Sequence, residues 1–289
     1  METLRQEAVK FAYPTWNSAF YDSIAPHVPN YVPTSRRATW KAHVDLPVGA
    51  KRPIAVLAQN GVDFQDNVLD TKAYQYWAEI DTKTGNVEIP MVKEGTYRMT
   101  IYADGIFGEY TKDNIQVVPG LKHQVTHARW REETAGKEIW RIGTPDKSSN
   151  EYRHGNFPEP TKPLHPAEHL IYWGAYDFIE DFPDGVKYEI GKSKESLDLN
   201  YVHWAVFGGK ANFRRPERVS SKKISDWTLL WDLKEEDFAK KRKATFTVQL
   251  AGAKTAAGNT DIFNATEPYS NLPYRVTVNG NELEPWIIP

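Results

Sequence analysis

The residues whose types and spacing come nearest to chemistry are a histidine pair and a group of carboxylates. His165 and His169 stand four apart in HPAEH, and Asp177, Glu180, Asp181 and Asp184 crowd into DFIEDFPDG. Two imidazoles at helical i,i+4 spacing can seat a transition metal. In the zinc-protease pattern a glutamate follows the first histidine, whereas here Glu168 directly precedes the second and Pro166 breaks the turn, so surface histidines are the favoured reading. Grouped carboxylates can divide acid and base work or hold calcium through oxygen. The EF-hand spacing is missing, which favours a solvated acidic turn; no cofactor is required, and calcium stays open as an alternative. No Gly-x-Ser-x-Gly elbow occurs, and GKAN near residue 209 lacks the phosphate-loop pattern. Zero cysteines exclude disulfides and thiolate metal sites.

A second kind of chemistry is sugar recognition. The stretch IWRIGTPDKSSNEYRHG (139–155) reads as a strand through Ile139, Trp140 and Ile142, stopped by Gly143 and Pro145-Asp146. Asp146 and Arg153 flank the polar turn, with Tyr152 beside the arginine. Together they offer one acceptor, one stacking face and one cation suited to a uronate carboxylate. The alternative is that Asp146 caps its own turn and Tyr152 packs on the sheet. Sugar rings present C–H groups that pack on aromatic faces, so loop aromatics such as Trp173, Tyr176 and Tyr269 are the better platforms. Trp227, Leu229 and Trp231 share one face of a predicted strand and read as core.

These side chains must be positioned by strands. The chain has 289 residues, 13% aromatic content, 18 Gly and 19 Pro, a composition that suits short pleated strands punctuated by turns. A net charge of -2, with no long run of one sign, implies neither nucleic acid nor an anionic membrane surface as a partner. KKRK at 240–243 follows acidic residues and reads as a solvated helical turn. No stretch approaches the ~18 apolar residues of a membrane span, and METLRQEAVKF has no apolar signal core.

Two modules follow from the pattern. Strands are predicted at ATWKAHVDL, PIAVLAQ, YQYWAEID, VEIPMV, GTYRMTIYADG and NIQVVPG, which together make a small β-sandwich over residues 1–122. Along the fifth, Tyr97, Met99 and Ile101 fall on one face. A second module over residues 123–289 is predicted from VTHARWR, KEIWRIG, VKYEIG, YVHWAVFG, WTLLWDL, KATFTVQLAGA and YRVTVNGNEL. The last contains Asn279-Gly280, the strongest short hairpin signal. Long polar connections such as HGNFPEPTKPLHP join these strands and are where binding usually resides.

The same stretches carry a resemblance. IWRIGTPDKSSNEYRHG, GTYRMTIYADGIFGEYTKDNIQVVPG, FYDSIAPHVPNYVPTSRRATWKAHVDLP, AVLAQNGVDFQDNVLDTKAYQYWAEID and LNYVHWAVFGG lie in order along the chain and resemble fungal rhamnogalacturonan endolyases of polysaccharide lyase family 4. The resemblance implies an all-β fold: a fibronectin type III-like sandwich followed by a carbohydrate-binding-module-like (galactose-binding-like) jelly roll. It also implies an extracellular setting, a pectic polysaccharide partner (rhamnogalacturonan I), and a separate catalytic β-sandwich domain bearing the lysine and histidine of β-elimination. No position here matches those two residues. Family members continue beyond ELEPWIIP, so the jelly roll is expected to be incomplete. Three readings of function result. The chain holds polymer beside a catalytic domain, or it is a spacer, or, least favoured, it has its own lyase site around Arg153, His154 and DFIEDF.

Overall fold

The computed structural model describes residues 2–13, 15–64, 74–120, 125–147, 185–199, 226–238, 243–250 and 272–288. Contacts within the chain define two units, Met1–Thr134 and Ala135–Pro289.

The first unit is a sandwich whose alternation is clearest in its first strand; farther on, Ala55, Val56, Leu57 and Ala58 are buried in succession. In β1 (Arg37–Asp45), Trp40, Ala42 and Val44 are buried between exposed Thr39 and Lys41 and half-exposed His43. β1 pairs antiparallel with β4 (Asn86–Lys93), whose Val87 and Ile89 turn inward. The facing sheet has the order β3-β2-β5-β6, formed by β3 (Tyr76–Glu79), β2 (Lys51–Gln59), β5 (Gly95–Asp104) and β6 (Tyr110–Val117). Tyr97, Met99 and Ile101 fall on one buried face of β5, as their spacing predicts, and join Trp40, Val44, Leu57 and Ile115 in one core. All six predicted strands of this module are present.

One segment sits elsewhere than the sequence reading put it. VTHARWR forms β7 (Val125–Arg129), which runs parallel to β1 and completes the β4-β1-β7 sheet. Ala128 and Trp130 enter the first core, Trp130 only 1% exposed, and the Trp130 N–H donates to the Asp45 carbonyl at 3.1 Å. Trp40 Nε1 also donates to Thr126 Oγ1 at 3.2 Å. These apolar and ladder contacts carry the first unit beyond the expected end at residue 122, through Thr134.

A single turn sets the β1–β4 register. Asp81 accepts from the N–H groups of Lys83 and Thr84, and the Gly85 carbonyl accepts from the Val44 N–H at 2.8 Å. Gly85 has φ +70°, and a Cβ there would lie 2.4 Å from the Val44 carbonyl oxygen. Only glycine meets both demands.

Ahead of β1 lie two helices, α1 (Glu2–Val9) and α2 (Ser18–Ile24), which the strand pattern does not anticipate. Asp22 fastens this arm by accepting from the Thr34 N–H at 2.9 Å, and that bond holds its carboxyl below the ordinary range. Arg37 then donates to the carbonyls of Val32 and Met91.

The described part of the second unit consists of short ladders. β8 (Val186–Glu189) runs parallel to β9 (Trp227–Leu230), with Val186 and Tyr188 buried together with Leu199, which follows α3 (Glu195–Asp198). A further one-turn helix, α4 (Glu235–Phe238), follows β9 and places acidic residues before the KKRK run, of which only Lys243 lies among the described residues. β10 (Leu272–Tyr274) pairs with β13 (Trp286–Ile288). β11 (Thr277–Val278) and β12 (Asn281–Glu282) form the predicted hairpin, with Asn279 and Gly280 at φ 49° and 81°. Positive φ at both central residues is what a type I′ turn requires. YVHWAVFG lies outside the described residues. Among the described residues no helix is long and apolar enough to cross a membrane.

The sandwich carries a built-in acid sensitivity. Arg98 grips Asp113 through two hydrogen bonds of 2.7 and 2.8 Å, and the Gly61 N–H adds a third contact at 3.0 Å. The arginine bond is the main reason that the Asp113 carboxyl titrates at about 2 instead of 3.8. A carboxyl depressed in the folded state stabilises fully above its unfolded value and loses that contribution as pH falls through its folded value. Asp113→Asn is therefore expected to lower the urea midpoint at neutral pH, with the gap to the parent closing between about pH 4 and pH 2. A gap independent of pH would contradict this account of the pair.

Candidate carbohydrate-facing site

The opening of the second unit departs from the strand pattern. Residues 138–142 pair with no strand among the described residues; Ile139 is 44% exposed and Trp140 is half-buried. The predicted strand through Ile139, Trp140 and Ile142 thus finds no partner among the described residues, and side-chain contacts hold the segment. Arg141 is clasped by Glu138 through bonds of 2.9 and 2.7 Å, and the Gly143 N–H donates to Glu195 Oε1 at 2.8 Å.

This bond pins the turn that carries Asp146. Gly143 and Lys147 both take positive φ, 78° and 56°, so the chain reverses twice around Thr144-Pro145-Asp146. Asp146 is half-buried and is itself engaged in an interaction. The other sequence-predicted binding residues, Tyr152, Arg153, Trp173 and Tyr176, lie outside the described residues, as do Tyr269, His154, the HPAEH histidines and the DFIEDFPDG carboxylates. The structure therefore locates one member of the predicted set.

An aromatic group adjoins the turn. Trp140 lies 5.3 Å from Trp231 and 6.1 Å from Phe246, ring centre to ring centre, at inclinations of 55° and 50°. Tilted pairs at these separations are favourable ring contacts beyond the area they bury. Trp227 and Trp231, read from sequence as core, are each more than a third exposed, and Phe246 is 45% exposed. The reason is the short β9: it ends at Leu230, so Trp231 leaves the ladder and turns to Trp140. KATFTVQL pairs with no strand among the described residues and delivers Phe246 to this group. Sequence reasoning missed Trp231 and Phe246 as surface aromatics, because strand spacing alone cannot tell a ring at a strand end from one in a core.

Electrostatics add little catalytic character. Shifted cations among the described residues, Arg36, Arg98 and Lys192, are all moved up by hydrogen bonds to carboxylates. A general base needs the opposite shift toward neutrality. In the second unit, burial pushes the Tyr188 and Tyr274 hydroxyls up, away from any role as a base at neutral pH. Among the described residues no group of three or more metal-ligating side chains could hold an ion as arranged.

With this geometry in place, two family models divide the chain as the units do. Residues 47–125 match polysaccharide lyase family 4, domain II, a fibronectin type III-like model, and residues 138–286 match domain III of the same family, a carbohydrate-binding-module-like model. The chain belongs to polysaccharide lyase family 4. It pairs a fibronectin type III-like sandwich with a carbohydrate-binding-module-like domain, an all-β arrangement of the sandwich-plus-jelly-roll kind. It is 52% identical over 286 residues to the probable rhamnogalacturonate lyase C of Aspergillus oryzae, covering 99% of this chain and 41% of that relative. The probable rhamnogalacturonate lyase B of Aspergillus niger is 52% identical over 285 residues, covering 99% and 40%. Rhamnogalacturonate lyase B of Emericella nidulans is 51% identical over 282 residues, covering 98% and 42%. The chain thus spans about two fifths of the length of these relatives.

The bond from Gly143 to Glu195 gives a direct test of how the turn is held. Glu195→Ala should speed tryptic cleavage after Arg141 and Lys147, the basic residues on either side of the turn, while leaving the circular dichroism of the chain unchanged. Equal cleavage rates in variant and parent would show that Glu195 does not position it.

Proposed function

We propose that this chain is the non-catalytic, polysaccharide-holding part of a rhamnogalacturonate lyase that works on extracellular pectin. The observation that carries the reading is the match of its two units to domains II and III of one lyase family. Relatives named as rhamnogalacturonate lyases, aligned over nearly the whole of this chain, supply the substrate class. In the reaction so named, a base removes the C5 proton of a galacturonate while its carboxylate is neutralised. The C4–O bond to the leaving sugar breaks, and a double bond remains between C4 and C5. That chemistry needs a base tuned toward neutral pKa, and the upward-shifted cations of this chain argue for a different role. Its contribution is to keep polymer close to a catalytic β-sandwich domain, which raises local substrate concentration without any chemistry.

Binding is assigned to the second unit, on the loops around Asp146, Tyr152, Arg153, Trp173 and Tyr176. The pinned turn supports this assignment, because Tyr152, Arg153, Trp173 and Tyr176 follow Asp146 in sequence. Arg153 suits a uronate carboxylate, and Tyr152 or Trp173 a sugar face. Trp231 and Phe246, each more than a third exposed beside Trp140, offer further ring faces. A spacer role without sugar binding is the second reading, favoured by the packing of Trp140 against both of those rings.

Purified chain mixed with rhamnogalacturonan should generate no ultraviolet-absorbing unsaturated product. Calorimetric titration with rhamnogalacturonan fragments should show weak binding that Tyr152→Ala or Arg153→Ala removes while the fold persists. Sustained product formation would refute the non-catalytic assignment. Absence of any binding heat would favour the spacer.

A further inference from the structure

The arm ahead of β1 is folded without a core of its own. α1 and α2 are 8 and 7 residues long. Helices below about 12 residues are marginal in water unless an apolar face is packed. Yet residues 3–9 of α1 are all exposed. No residue of α2, or of the short 3₁₀ turns Ala25–His27 and Thr34–Arg36 that follow it, is buried. Apolar side chains lie open along the arm: Leu4 is 74%, Phe11 56% and Phe20 54% exposed. Phe11 meets exposed Trp16 edge to face with ring centres 5.8 Å apart, so the rings form a joined patch. Exposed apolar patches of this kind mark interaction sites.

The root of the arm is fixed. Besides the bond from Thr34, Asp22 accepts from the Tyr31 hydroxyl at 3.4 Å, and the Tyr21 and Tyr31 rings lie 6.3 Å apart. The Arg37 guanidinium stands 5.8 Å from the centre of the Tyr31 ring. These contacts hold α2 at the start of β1 and leave Phe20 open beside Tyr21, whose ring is 5.5 Å away. A surface fixed before it is covered loses little freedom when it binds.

The character of the missing cover follows from charge. Residues 1–36 carry three acids, Glu2, Glu7 and Asp22, and three bases, Arg5, Lys10 and Arg36. The balance favours an apolar partner over a charged one. Sugar hydroxyls need polar partners beside the rings, but Glu7 is engaged by Lys10 at 2.6 Å and Asp22 by Thr34 and Tyr31. Two further observations say what the partner is. The matched family domains are numbered II and III, and the first match begins at residue 47, behind the arm. The relatives also hold well over half of their length outside the part that this chain covers.

We propose that the apolar face of the arm, centred on Phe11, Trp16 and Phe20, is the docking surface for domain I of the lyase. This rests on reading the chain as the domain II–III part of such an enzyme. A domain joined through the arm is held at high effective concentration, so a patch of a few rings suffices to seat it. A second copy or a pectic fragment arriving from solution has no such advantage.

Hydroxyl-radical footprinting read by mass spectrometry tests the docking. It compares the chain alone with the same chain joined behind domain I of a rhamnogalacturonate lyase, in a form that cleaves rhamnogalacturonan. Oxidation of the tryptic peptide 11–36 is expected to fall several-fold on joining, toward the level of buried Trp130, while exposed Trp77 of β3 keeps its rate. Phe11→Ser/Phe20→Ser in the joined protein should restore oxidation at Trp16. Sedimentation of the chain alone should give a monomer. Unchanged oxidation on joining, a dimer that Phe20→Ser dissociates, or equal protection of the isolated chain by rhamnogalacturonan fragments would overturn the proposal. Protection on joining in a chain that binds no rhamnogalacturonan would support the docking and refute polymer holding alone.

Discussion

Everything described in the first unit depends on one shared apolar core between two sheets, and on the strand that closes it last in sequence. Trp40, Val44, Leu57, Met99 and Ile101 fill the interior from both sides. β7 then brings Ala128 and Trp130 into the same core by pairing in parallel with β1. Burying apolar area is the dominant favourable term in folding. The peptide that leads to the second unit is therefore anchored in the core of the first. Removing β7 would uncover Trp130 and leave the backbone of β1 unpaired on one side, an exposed edge of the kind that proteins avoid.

That anchoring fixes where the linking peptide starts: Trp130, at the end of the strand before it, is 1% exposed. The turn at 143–147 is held in the same manner on a smaller scale. Glu195 fixes its start through the Gly143 N–H, and Lys147 takes left-handed backbone at its end.

The first unit was largely legible in the sequence because period-two alternation, clearest in β1 and β4, leaves few choices. Tyr97, Met99 and Ile101 share a face in any strand that contains them, and their burial follows. The Asn279-Gly280 turn was equally legible, since few other residue pairs tolerate two left-handed positions in a row. VTHARWR was recognised as a strand, but sequence order says nothing about which sheet a strand joins, and its partner is β1, eighty residues earlier or more. KEIWRIG has a strand's composition, yet among the described residues it joins no ladder, and the Gly143 N–H that closes it goes to Glu195. Trp227 and Trp231 were read as core from spacing, whereas a four-residue strand leaves both at its ends.

The central claim is that the second unit, and not the sandwich, meets the polymer. The most direct measurement is an NMR titration of isotope-labelled chain with rhamnogalacturonan oligosaccharides. The account predicts progressive shifts confined to the second unit, strongest at Asp146, Tyr152, Arg153 and the side chains of Trp231 and Phe246, with β1–β6 unmoved. Shifts centred on the sandwich, or a spectrum that saturating oligosaccharide leaves unchanged, would contradict it.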